Sequence, residues 1–331
     1  MKGTDMATYF ESSVGKAILL TDSAHSVELG RLAATEALSQ IKRFQPSLAL
    51  AFISPELEID RVTEGLIDVL GDCPLIGTST AGEIAGGYIR RGVVVAVLAS
   101  PHLSARVGMG NGVGQDFQSA VNQALSKAGI SQYFNYNHPQ HQMLHMSAAG
   151  TPWISPVLLI VFSPGSTKSQ FSLSHDIHSA LRKSSANRIP IFGGSSGDYF
   201  QYDSNYQIVN NRVSSDAIAL AFIETEILFG LGMSHGFFPT KKRALVTRAS
   251  GHLVHEFDSQ PAAEVYADML GIPVARIRER LPAPPSPFNT FPFGSIDVYG
   301  NSLLHVPERI FDDGSIQFPH LISTDIVMTL M

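Results

Sequence analysis

One phrase occurs twice in this chain, and that recurrence constrains its fold more than any other feature. The apolar run Leu48 to Ile53 leads into Ser54-Pro55, and the run Val157 to Phe162 leads into Ser163-Pro164. The two lie roughly 110 residues apart, a spacing that points to duplicated structural units. A short, continuous apolar run bounded by turn residues reads as a strand buried on both faces. Ser is a good N-cap and Pro suits the first helical position, so each Ser-Pro is expected to open a helix. In the first copy Ile59, Val62, Leu66 and Leu70 fall on one helical face, with Gly71 as the stop. A second shared phrase follows: Pro74-Leu75-Ile76-Gly77-Thr78-Ser79-Thr80-Ala81-Gly82-Glu83 against Pro190-Ile191-Phe192-Gly193-Gly194-Ser195-Ser196-Gly197-Asp198. Each copy then closes on another apolar run, Val93 to Leu98 and Ala217 to Phe222.

The repeated strand-helix-strand-loop-strand unit, over about 15–115 and 116–225, predicts an α/β domain across residues 1–225. Leu29, Leu32, Ala33, Leu38 and Ile41 predict a helix ahead of the first copy, within Val27 to Phe44, and Gln118 to Ala128 supplies a counterpart ahead of the second. Between the copies, Gln132 to Trp153 has no clear period and reads as a surface excursion. After Glu226 the pattern changes. Ala244 to Arg248 and Leu253 to Phe257 read as strands around a Ser250-Gly251 turn. Pro261 to Leu270 reads as a helix burying Ala262, Val265, Tyr266 and Met269. A second, smaller α/β domain is therefore expected over 226–331. Its Pro282 to Pro292 stretch reads as an ordered loop or crossing, and the apolar end Ile326 to Met331 suggests a domain cut short.

Composition narrows the function. Charged residues are 16% and the net charge is −6, which argues against nucleic acid. The apolar runs are far shorter than the roughly 20 residues that span a bilayer, and the opening MKGTDMATYFESS lacks a signal-peptide core, so a cytoplasmic location is expected. The single Cys73, directly before Pro74, excludes an internal disulfide and a CxxC motif and reads as a small buried hydrophobe.

Ile76-Gly77-Thr78-Ser79-Thr80-Ala81-Gly82-Glu83-Ile84, with Phe192-Gly193-Gly194-Ser195-Ser196-Gly197-Asp198, resembles the pair of signatures of the FIST N domain. Leu245-Val246-Thr247-Arg248-Ala249-Ser250-Gly251-His252, running on to Pro261-Ala262-Ala263-Glu264-Val265-Tyr266, resembles the opening of the FIST C domain. The resemblance implies a bacterial sensory input module acting on a histidine kinase, a cyclic-di-GMP enzyme or a chemotaxis receptor. It also implies small ligands such as amino acids, or alternatively haem in a nitric oxide sensor.

The residues themselves suggest where a ligand would sit. A turn rich in Gly, Ser and Thr after a buried strand offers N–H groups, hydroxyls and close backbone approach to an anion. Gly77, Thr78, Ser79 and Thr80, with Gly193, Gly194, Ser195 and Ser196, are these candidates. Glu83 and Asp198 can pair with an ammonium, so the combination suits an amino-acid zwitterion. The alternative is that the glycines serve turns and the acids cap helices or bind loop N–H groups. His235 in the Met233-Ser234-His235-Gly236 turn and Arg248 are further candidates; Arg248 suits a carboxylate or a plain salt bridge. The six residues Ser79, Thr80, Glu83, Ser195, Ser196 and Asp198 are expected on one side of the first domain, the second domain closing over them near His235 and Arg248. Two close acids would want a cation between them. His138, His141 and His145 have metal-like spacing but a loop-like setting; His175 and His178, three apart on a predicted helix, call for the same caution. No GxSxG elbow, P-loop or GxGxxG is present, and no catalysis is expected.

Overall fold

The computed structural model describes residues 10–18, 25–130, 157–167, 173–184, 189–199, 201, 203, 205–227, 229–232, 235–279, 286–296 and 302–331. The Gln132 to Trp153 excursion, with His138, His141 and His145, lies outside these, as does the side chain of His175. The chain divides into two units, Met1–Leu231 and Gly232–Met331.

The first unit runs β1 (Glu11–Ile18), α1 (Ser26–Gln40), β2 (Pro46–Ile53), α2 (Ile59–Leu70), β3 (Leu75–Ser79), β4 (Glu83–Ile84), β5 (Tyr88–Ile89) and β6 (Gly92–Ala99). It continues as β7 (Leu103–Asn111), α3 (Val113–Lys127), β8 (Val157–Ser163), α4 (Ser174–Ser184), β9 (Ile191–Ser195), β10 (Gln207–Val209), β11 (Arg212–Ser214) and β12 (Ala217–Thr225). One sheet has the order β1-β6-β2-β3-β10-β11, the other β7-β12-β8-β9. The four strands β1-β6-β2-β3 and β7-β12-β8-β9 share not only their order but their pairing. The first two contacts are antiparallel and the last is parallel in both sheets.

Each sheet carries helices on one face and packs its other face against the second sheet. In β2, Ala49, Ala51 and Ile53 meet α1 and α2, while Leu48, Leu50 and Phe52 face the opposing sheet. In β12, Ile218, Leu220 and Phe222 meet the helices, while Ala217, Ala219, Ala221 and Ile223 face inward. Burial on both faces is why these strands are unbroken apolar runs rather than alternating ones. Phe52 and Phe162 meet edge-to-face between the sheets, with centroids 5.7 Å apart. The helices lie close because glycines admit them: a Cβ on Gly15 would sit 1.9 Å from Ala33 O, and one on Gly108 2.1 Å from Ala124 O.

The register corrects one expectation. Ile53 pairs with Ser79 in the first sheet, whereas Ser163 pairs with Ser195 in the second. If Ser79 and Ser195 correspond, Ser163 occupies the place of Ile53, and Ser54 lies one residue further on. The Ser-Pro phrases are thus out of step, and a one-residue step moves a side chain to the opposite face of a sheet. Neither Ser-Pro opens a helix. Ser54 closes a turn, its carbonyl accepting from Leu57 N–H, and α2 begins at Ile59; α4 begins only at Ser174. Within α2 the expected face is buried, and Gly71 ends it with φ 58°. Leu32 in α1 is 52% exposed, against expectation, because Leu29, Ala33 and Ala37 already fill the narrow stripe facing the sheet.

The second unit holds β13 (Arg243–Ser250), β14 (Leu253–Phe257), β15 (Gln260–Pro261), α5 (Ala262–Leu270), α6 (Val274–Glu279), α7 (Pro287–Thr290), β16 (Phe293–Ile296), β17 (Ser302–His305), β18 (Arg309–Ile310), β19 (Ile316–Gln317) and β20 (Val327–Leu330). Its sheet runs β17-β16-β20-β13-β14-β19-β18, with β15 paired to β14. The core is aromatic: Tyr266 and Phe257 each lie 5.2 Å from the Phe293 ring. Part of the expected Pro-rich crossing is instead helical, since Ser286 accepts from Asn289 N–H and caps α7.

Candidate functional site

The loops after β3 and β9 meet. Gly197 N–H donates to Ser79 O at 3.0 Å, and a Cβ on Gly197 would lie 3.2 Å from Ala81. Around this contact the unit buries an unusual set of polar groups: Ser54, Thr78, Ser79, Glu83, Ser163, Ser196, Asp198, Asn205 and Gln207. Nearly all are tied down, as buried polar groups must be. Ser79 Oγ accepts from Tyr206 N–H at 3.0 Å. Ser196 Oγ donates to Asn205 Oδ1 at 2.7 Å and accepts from Gln207 Nε2 at 3.0 Å and from Gly165 N–H at 2.9 Å. Asp198 Oδ2 accepts from Asp203 N–H at 2.8 Å. Ser54 and Tyr199 join the two copies through their hydroxyls, 3.3 Å apart.

Glu83 is the exception. It is 2% exposed; its Oε1 accepts from the Thr80 hydroxyl at 2.7 Å, but its Oε2 has no hydrogen-bond partner among the described residues. Burial pushes its carboxyl up to about 7; the Thr80 hydroxyl and nearby backbone N–H groups hold it back, and Glu56 adds a smaller upward push. Glu56 pairs with Arg90 at 3.1 Å and Arg91 at 3.5 Å, and the Arg90 guanidinium lies 4.8 Å over the Tyr199 ring. Arg91 and Tyr199 both have φ of 56°, a left-handed backbone that costs energy outside glycine and clusters at functional sites.

The structure therefore brings Ser79, Thr80, Glu83, Ser196 and Asp198 to one junction. Gly77 and Thr78 lie within β3, paired with β10, and the Thr78 hydroxyl is taken by Tyr206 O. Gly193 packs on Val161 O, and Gly194 and Ser195 are exposed, with Ser195 Oγ 3.1 Å from Ser163 Oγ. The expectation that Glu83 and Asp198 act as a coupled acid pair is corrected: Asp198 turns to its own loop and is not among the groups that shift Glu83. In the second unit, His235 Nδ1 accepts from Phe237 N–H at 3.3 Å, and Arg248 pairs with Glu256 at 2.9 Å. Glu56, Arg90, Tyr199 and Asn205 were not singled out from sequence, because none of them belongs to the repeated phrases, and Ser54 was read there only as a helix start. Cys73 is buried and its thiol is pushed up to about 12, which leaves it protonated and unreactive. A shallow concavity of about 520 Å³ lies along α3, lined by Asp116, Gln118 and Lys127 among others, and includes none of the junction residues.

No histidine, cysteine or methionine is among these junction groups, and the Tyr199 hydroxyl already bonds to Ser54. The donor set does not fit a haem, which needs an axial ligand of those types.

A family model described as the FIST N domain matches residues 47–260. An uncharacterized protein of Methanocaldococcus jannaschii is 30% identical over 129 residues, which is 37% of this chain; the chain spans 25% of that relative. The crystal structure of cyanuric acid hydrolase from A. caulinodans overlaps at TM-score 0.31 and 11% identity, over 65% of this chain and 72% of that one. Among the described residues, no helix is long and apolar enough to cross a membrane.

Proposed function

Because the chain belongs to the FIST family of sensory domains in signal transduction, we propose that it senses a small ligand at the junction of the β3 and β9 loops. The observation that carries this reading is the buried Glu83 carboxyl with Oε2 unpartnered. Leaving such an atom unsatisfied costs about 1 to 3 kcal/mol, a cost that a ligand donor would remove. An amino acid is the ligand class we favour: its ammonium would donate to Glu83, beside the loop that carries Asp198. The junction works by binding and not by turnover. Its location at the meeting of two copies suits a sensor, because a ligand spanning both loops changes the contact between them. The output we propose is a histidine kinase, a cyclic-di-GMP enzyme or a chemotaxis receptor, with the chain acting in the cytoplasm.

The test is a thermal-shift screen of amino acids and related amines. A ligand at 100 times its Kd adds about 2.7 kcal/mol to stability. At least one primary amine should raise the Tm of the wild-type chain and not of Glu83→Gln. A ligand that stabilises both proteins equally would place the site elsewhere.

A further inference from the structure

The second unit contains a chain of three side chains that the sensory reading does not use. Strands β16 and β17 pair antiparallel with Phe293 opposite His305 and Ser295 opposite Leu303, which sets these four side chains on one face of the sheet. Across the diagonal, Ser295 Oγ lies 2.6 Å from His305 Nε2. The other nitrogen of that ring, Nδ1, lies 2.6 Å from His320 Nε2. His305 is buried at 7% exposure, whereas Ser295 is half-buried and Leu303 beside it is 39% exposed. The hydroxyl is thus at the rim of the core and its base is inside it. A hydroxyl bonded to an imidazole that is itself oriented by a third group is the arrangement that makes serine nucleophilic.

We propose that Ser295 is a nucleophile for acyl transfer, activated by His305 and with His320 as a positioning residue, and that its substrates are small carboxylic esters and similarly activated acyl groups. In this arrangement the Nδ1–H of His305 donates a hydrogen bond to His320 Nε2, and the Nε2 lone pair of His305 accepts from the Ser295 hydroxyl. As Oγ attacks the ester carbonyl carbon, its proton passes to His305 Nε2 and the carbonyl π electrons move onto oxygen. Collapse breaks the bond to the leaving alcohol, which takes that proton, and leaves Ser295 acylated. Water then attacks the acyl carbon, giving its proton to Nε2, which returns it to Oγ as the carboxylic acid departs. Leu303 supplies an apolar wall that suits a short acyl chain.

The experiment uses the full chain with p-nitrophenyl acetate, following p-nitrophenolate release and mapping the acetyl adduct by peptide mass spectrometry. One acetyl group is expected on the Ser295 peptide, at a rate that rises with pH as the imidazole loses its proton. Ser295→Ala should abolish the adduct, and His305→Gln should slow acylation by about 100-fold or more. His320→Ala should slow it by about tenfold and move the midpoint of the pH profile, and His320→Gln, whose amide oxygen still accepts from His305, should recover part of the loss. An adduct on any other residue, or none above the rate of free serine, overturns the proposal; the wild-type map decides this even if a variant fails to fold. An unmoved pH midpoint in both His320 variants would remove His320 from the relay.

Discussion

Replacing Glu83 by Gln keeps the shape of the side chain and removes its titration. In the folded protein burial raises this carboxyl from 4.5 to about 7. Between those values the folded chain holds a proton that the unfolded chain has released. The stabilisation linked to Glu83 is therefore complete below pH 4.5 and is lost as the pH rises through about 7. At about 1.4 kcal/mol per pH unit, the full window amounts to about 3 kcal/mol. Exposed Ala81 and Ile84 bring water to the loop, so about 2 kcal/mol is the figure we expect after screening. Glu83→Gln should remove this share of the pH slope and, near pH 8, exceed the wild type by about that amount, a urea midpoint about 1 M higher. Ligand affinity should fall by about 1 to 3 kcal/mol in the same protein. The assay is urea unfolding of both proteins at several pH values from about 5 to 8, with calorimetric titration of whichever amine the thermal screen returns. If Glu83→Gln is less stable than the wild type near pH 8, or if the two proteins show the same pH slope, the carboxyl is satisfied in the fold and the argument for a ligand fails.

Three further outcomes follow from the same contacts. Asp198→Asn, which keeps the oxygen that accepts from Asp203 N–H, should weaken binding of that amine by about 1 to 3 kcal/mol with little change in stability, checked by calorimetry; an unchanged affinity would confine Asp198 to a loop role. Gly15→Ala and Gly108→Ala should each cost about 1 to 3 kcal/mol or more, since each added methyl meets a helix carbonyl, whereas Gly194→Ala, with nothing within 4 Å, should stay within about 0.5 kcal/mol; urea midpoints compare them. Ser196→Ala should destabilise by about 1 to 3 kcal/mol by removing the acceptor of Gln207 Nε2 and one of the partners of Gly165 N–H and of Asn205 Oδ1, and a neutral result in chemical unfolding would show water replacing the hydroxyl.

Much of this protein was legible along the chain because the relevant physics is local. The buried stripe of α2, the stop at Gly71, the strands on either side of Gly251 and the α5 face around Tyr266 all follow from periodicity and turn chemistry within a few residues. The doubled loops and their acids are also visible along the chain, which is why Glu83 and Asp198 stand out in the sequence. Tertiary structure decided what those residues meet. The step between Ser54 and Ser163 is set by the pairing of β2 with β3 and β8 with β9, and no local pattern reports a register. The β10–β11 hairpin of the second copy completes the sheet of the first, so Tyr206 reaches Ser79 across more than a hundred residues of chain. Glu83's carboxyl is perturbed because folding withdraws it from water without giving Oε2 a partner, and Ser295 meets His305 only through a cross-strand diagonal. Composition and period specify which face of an element is buried; burial of a charge and the meeting of distant side chains depend on packing between elements, which exists only once the chain has folded.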